Sequence, residues 1–195
     1  MTNSMDWAAM EALLIRLGEA LEQETELVLI GSAVCMCLGQ PARMTLDFDV
    51  WHPSSNYDLS VLKRACEKVG LAFDPKSVVE PEKAYIQIVR PGIVHLGAFS
   101  KTSRLLKTGK LVVLQPPTAN LVASKLVRCE DKDLDDCTFL LRQTNTSIDE
   151  VAEVIETFTN EEARKTAKEN ITLLQEYLNS CDGERQGSEK KDTDS

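Results

Sequence analysis

Histidine is scarce in this sequence, and long apolar runs are missing. Only 2 of 195 residues are histidine, and the six cysteines include a Cys35-x-Cys37 pair but no Cys-x-x-Cys. That argues against a structural zinc site, which needs four well-spaced thiolate or imidazole ligands. No stretch reaches the roughly 18 apolar residues that a membrane-crossing helix needs. The N-terminal segment MTNSMDWAAMEALLIRLGEALE carries Glu11, Arg16 and Glu19 within an amphipathic pattern. It lacks the basic start and apolar centre of a secretory signal, so a cytoplasmic protein with no membrane partner is expected. In that compartment the cysteines, mostly in apolar surroundings, read as buried free thiols rather than bridges.

A basic surplus is missing too. The formal net charge is −9, which makes a poor general nucleic-acid binder, because phosphate contacts need Lys and Arg. The segment KTSRLLKTGK (101–110) is the local exception, with Lys101, Arg104, Lys107, Lys110 and no acid. It reads as a solvated loop; steering of RNA or a triphosphate is the other reading.

What is present is a globular balance, 43% apolar and 27% charged residues, in a length that suits one domain or one with a small helical appendage. Trp7, Met10, Leu14, Leu17 and Leu21 recur at helical spacing over 5–22. LVLIG (27–31) reads as a buried strand, SAVCMCLG (32–39) as a short helix and LDFDVW (46–51) as a second strand. A helix is expected over 56–70, closing at Gly70. The segments 84–89 and 93–99 flank Arg90-Pro91-Gly92 and predict a hairpin. A strand over 110–115 follows, stopped by Pro116-Pro117.

The remainder reads as helical, over 118–128, 131–142, 148–158 and 160–179. The last two carry capping boxes, Ser147 with Glu150 and Thr159 with Glu162. The expected architecture is therefore α/β (α+β): a small mixed sheet with flanking helices over 1–115, a C-terminal helical bundle over 116–180, and a disordered tail over 181–195.

Chemistry concentrates in LDFDV. Strand side chains alternate, so Asp47 and Asp49 share one face while Phe48 and Val50 enter the core. Two carboxylates so close repel unless a cation or donors lie between them. Mg²⁺, or Mn²⁺, is the natural occupant, a hard ion that takes oxygen ligands and bridges to phosphates. A solvated strand end would also place acids this way. Upstream, Gly31-Ser32 stands between strand and helix, where a glycine lets a ligand approach the backbone and helix amides suit phosphate. Trp51 falls on the carboxylate face by alternation and could stack on a base or serve the core.

The unit LVLIGSAVCMCLGQPARMTLDFDV, with Arg43-x-Thr45-x-Asp47-x-Asp49, resembles the minimal nucleotidyltransferase (DNA polymerase β-like) superfamily. In particular it looks like the AbiEii-type toxin and DUF6036 branch. A second block, PPTANLVASKLVRCEDKDLDDCTFLL (116–141), matches the branch's Lys–Arg–Asp-Leu-x-Asp pattern at Lys125, Arg128, Asp133 and Asp136. The resemblance implies a nucleotidyltransferase fold, and that Gly31 and Ser32 hold a triphosphate and Asp47 and Asp49 bind Mg²⁺. It further implies that Arg43, Thr45 and Lys125 serve the nucleotide and Asp133 supports the site.

The implied reaction is attack of an RNA or protein hydroxyl on the α-phosphate of an NTP, with pyrophosphate leaving. Two metal ions about 3.5–4 Å apart commonly assist such displacements. A tRNA or protein acceptor, and an antitoxin partner if the chain is the toxin of a toxin–antitoxin pair, are implied in turn.

The superfamily's third carboxylate belongs on a later strand, and YIQIV and IVHLGAF contain no Asp or Glu. By position, His95 or Gln87 takes its place. Neutral imidazole is a poor Mg²⁺ ligand, but His95 could act as a base; a polar residue on an open hairpin face is the plainer reading. Two functions thus stand side by side: an active enzyme, or a catalytically inactive relative that binds nucleotide or a partner protein.

Overall fold

A computed structural model describes residues 5–41, 43–76 and 83–189, with the side chains of 182–189 left aside. The chain divides into two compact units.

The first unit, residues 1–94 and 99–117, shows among the described residues a six-stranded sheet, three α-helices and a 3-10 turn at His52–Ser54. Helix α1 (Trp7–Ala20) starts where Asp6 accepts from the Ala9 amide. It buries Met10, Leu14 and Leu17. Strand β1 (Thr25–Ile30) leads through Gly31 into α2 (Ser32–Cys37), and β2 (Asp47–Trp51) follows. Helix α3 (Leu59–Val69) is capped by Asp58, which accepts from the Ser60 and Val61 amides, and closes at a left-handed Gly70. Next come β3 (Ala72–Phe73), β4 (Tyr85–Val89), β5 (Ser103–Thr108) and β6 (Leu111–Gln115).

The sheet order is β3-β4-β2-β1-β6-β5. β1 pairs antiparallel with β2 and parallel with β6, while β4 runs parallel to both β2 and β3. At the centre, Leu27, Val28 and Leu29 of β1 are wholly buried, so both sheet faces are covered there.

The expected hairpin of 84–89 with 93–99 does not form. β4 pairs with β2 and β3 instead, and 93–99 is not a strand. The backbone of 95–98 is held by side chains: Asn120 donates to the Leu96 and Ala98 carbonyls, and the Ala98 amide donates to the Thr157 hydroxyl. KTSRLLKTGK is not a loop but mostly β5, which turns at Gly109 into β6. That turn lies against α1: a β-carbon on Gly18 would come 2.2 Å from the Thr108 carbonyl oxygen.

The second unit, residues 95–98 and 118–195, holds four helices: α4 (Thr118–Leu126), α5 (Asp131–Thr144), α6 (Ile148–Glu156) and α7 (Glu161–Glu189). The capping box of α6 forms as expected, with the Ser147 amide donating to Glu150 and the Glu150 amide to the Ser147 hydroxyl. The cap of α7 is Asn160, accepting from the Ala163 amide, rather than Thr159. α7 buries Ala163, Ala167 and Leu174. Its backbone continues as helix to Glu189, beyond the expected end at 179; residues 190–195 of the expected tail lie outside the described residues. None of the six cysteines is in a disulfide. Among the described residues, no helix is long and apolar enough to cross a membrane.

Candidate functional site

Strand β2 alternates as its sequence demands. Phe48 and Val50 are fully buried, while Asp47 and Asp49 are half-buried on the opposite face. Trp51 is only 9% exposed, which places it in the core rather than on a ligand platform. Parallel pairing with β4 sets Asp47 beside Tyr85 and Asp49 beside Gln87. Side chains of paired residues project to the same side of a sheet. The face therefore carries Asp47, Asp49, Tyr85 and Gln87.

The acidic character of this face registers on its neighbour. Burial raises the Tyr85 phenol above its ordinary pKa, and the Asp47 and Asp49 carboxylates raise it further. The Thr45 hydroxyl donates to Asp47 and orients it.

Gly31 stands directly over Asp49. Its backbone is at φ 74° and ψ −157°, a region open essentially to glycine alone. A β-carbon there would lie 2.4 Å from Oδ2 of Asp49. The residue that follows, Ser32, accepts a 2.6 Å hydrogen bond from the Arg43 guanidinium. Gly31, Ser32, Arg43, Thr45, Asp47 and Asp49 thus belong to one strand–turn–helix–strand arrangement within the first unit.

The donor set suits a hard cation. Two carboxylates share a face, and the missing Cβ of Gly31 lets one of them, Asp49, pack against its backbone. Among the described residues no group of three or more His, Cys, Asp or Glu gathers as a metal cluster. The neighbour of Asp49 on β4 is Gln87.

Lys125, Asp133 and His95 fall in the second unit. Lys125 is 8% exposed; its Nζ lies 2.7 Å from Asp136 and 3.7 Å from Asp133. Arg128 grips Asp133 through two 2.7 Å hydrogen bonds. Burial alone would raise the Asp133 pKa, but Arg128 and Lys125 outweigh it and hold the carboxyl below its ordinary range. Asp133 also accepts from the Glu130 amide and so caps α5. This network ties α4 to α5. His95 is half-buried with its ring centroid 6.1 Å from that of Phe158.

Asp136, matched to the Lys–Arg–Asp-Leu-x-Asp pattern but given no role there, is wholly buried and lies closer to Lys125 than Asp133 does. One residue was missed by the sequence reading. Asp74, just after β3, accepts from the Gln87 side chain. That contact spans a separation of 13 residues, and no local spacing announces it.

No curated protein and no solved structure shows significant similarity to the chain. One family model, a nucleotidyltransferase of unknown function (DUF6036), matches residues 8–180. That match takes in both the β2 site and the Lys125 network, and the chain belongs to the DUF6036 family of nucleotidyltransferases.

Proposed function

We propose that the chain transfers a nucleoside monophosphate from an NTP to a hydroxyl of an RNA, such as tRNA, or of a protein. The observation that carries this reading is the placement of Gly31 against Asp49, with Asp47 on the same strand face, in a chain of a nucleotidyltransferase family.

Asp47 and Asp49 would hold Mg²⁺ or Mn²⁺, which supplies charge neutralisation at the reacting phosphate. The chain's own residues do the remaining work. The absence of a β-carbon on Gly31 keeps the Asp49 carboxylate in place against the turn. The Arg43–Ser32 pair fixes the Ser32 hydroxyl at the same turn. The Thr45 hydroxyl donates to the Asp47 carboxylate. In the transfer, the acceptor oxygen bonds to the α-phosphorus, the bond to the β-phosphate oxygen breaks and pyrophosphate leaves. The acceptor proton passes to solvent.

The experiment is incubation with each α-labelled NTP, Mg²⁺ or Mn²⁺, and cell extract. Label transfer that disappears in Asp47→Ala and Asp49→Ala supports the enzyme. A toxin role adds a second expectation: growth arrest on expression, relieved by the same substitutions.

A second reading is a nucleotide-binding protein without transfer activity. It is favoured by one observation, the neutral Gln87 beside Asp49. Nucleotide binding by a folded chain that transfers no label would select it.

A further inference from the structure

We infer that Gln87 is the third oxygen ligand of the Asp47–Asp49 cation site, and that Asp74 is the positioning residue that orients its amide. This rests on the cation-binding reading above.

Gln87 is the register partner of Asp49 and shares its sheet face. Its Nε2 donates to Oδ1 of Asp74 at 3.1 Å. An ionised carboxylate only accepts, so the amide nitrogen must face Asp74. The amide oxygen is thereby turned away from Asp74. Amide oxygens are neutral, hard ligands of the kind that divalent cations accept beside carboxylates.

Asp74 is itself held firmly. Its backbone sits at φ 41°, uncommon for a residue with a side chain. Its amide donates to the Ile86 carbonyl at 2.7 Å. Oδ1 also accepts from the Ile88 amide at 3.1 Å, and Oδ2 pairs with Arg90 at 3.0 Å. Arg90 in turn donates to the Ile88 carbonyl. The anchor thus spans the turn after β3 and the end of β4.

The same anchor explains why position 87 is not an acid. A glutamate there would bring a second carboxylate within hydrogen-bonding distance of Asp74, and like charges that close repel. Glutamine removes the repulsion, donates to Asp74 and still offers an oxygen.

Mn²⁺ affinity, read by electron paramagnetic resonance or calorimetry on the full chain, tests this without recourse to activity. Outer-shell partners of metal ligands are commonly worth roughly 10–100-fold in affinity. Gln87→Ala is expected to weaken Mn²⁺ binding by about tenfold or more, and Asp74→Ala by a similar factor, with unchanged circular dichroism. The double variant Gln87→Glu with Asp74→Asn keeps one donor–acceptor pair and moves the negative charge from position 74 to the proposed ligand, so it should bind Mn²⁺ at least as tightly as the wild type. It also guards against a fold defect in either alanine variant. Binding that requires Asp47 and Asp49 but is unmoved by Gln87→Ala would overturn this inference alone. No Mn²⁺ binding by the wild-type chain would overturn the cation-binding reading with it.

Discussion

A β-carbon on Gly31 would lie 2.4 Å from Oδ2 of Asp49. Gly31 directly follows β1, whose last residue, Ile30, is the register partner of Asp49 on β2. The approach is closer than any real β-carbon contact, and the backbone of Gly31 is in a glycine-only region. Gly31→Ala should therefore cost about 1–3 kcal/mol from backbone strain. It should also displace the Asp49 carboxylate and weaken Mn²⁺ binding. Thermal unfolding together with Mn²⁺ titration checks this; a variant unchanged in both would contradict it.

Lys125 stands among carboxylates with almost no water. Removing its charge in Lys125→Met leaves Asp136 buried beside a neutral side chain. The expected loss is roughly 3–5 kcal/mol of unfolding free energy. Adding Asp136→Leu should recover a large part of it, because the buried charge goes as well. Urea denaturation of the single and double variants measures both, and a single variant as stable as wild type would contradict a stabilising role for the network.

Asp133 gives the second unit an acid dependence with a definite sign. Its folded pKa lies below the ordinary 3.8, because Arg128 and Lys125 outweigh burial. A carboxyl with a depressed folded pKa contributes stability above its unfolded pKa and loses it as pH falls through the folded one. The advantage of wild type over Asp133→Asn should thus be constant from about pH 7 to 5 and shrink below about pH 4. Denaturant midpoints across that range decide it; an advantage that grew on acidification would have the wrong sign.

The thiols should be sluggish. Burial pushes Cys66 up to about 12 and, more than the nearby Glu11, pushes Cys37 up to about 11. Cys35, Cys66 and Cys137 are buried, so at most the half-buried Cys37, Cys129 and Cys181 should react with an aromatic disulfide before unfolding. Rapid native labelling of Cys66, located by peptide mass mapping, would contradict the packing around α3.

Much of this was legible in the sequence where periodicity and end signals agree. α3 has an Asp cap, an apolar stripe and a closing glycine. β2 alternates cleanly, which is why its two carboxylates could be assigned one face. Legibility failed where pairing decides the structure. The stretch 93–99 has strand composition, but Asn120 and Thr157 take its backbone groups. β5 was hidden because the neighbours Leu105 and Leu106 break a two-residue alternation; the strand carries a register shift between Arg104 and Leu106. β3 has two residues, too few for any period. At the site, Gly31, Asp47 and Asp49 announced themselves through spacing. The Gln87–Asp74 contact did not, because β3–β4 pairing alone brings those residues together.

The most direct measurement compares NTP labelled at the α-phosphate with NTP labelled at the γ-phosphate, in the presence of Mg²⁺ and cell extract, with pyrophosphate followed in parallel. Only the α-label should enter an RNA or protein acceptor, with one pyrophosphate released per label, and Asp47→Ala and Asp49→Ala should abolish both. Incorporation of the γ-label, or α-label transfer that survives the loss of both aspartates, would contradict it.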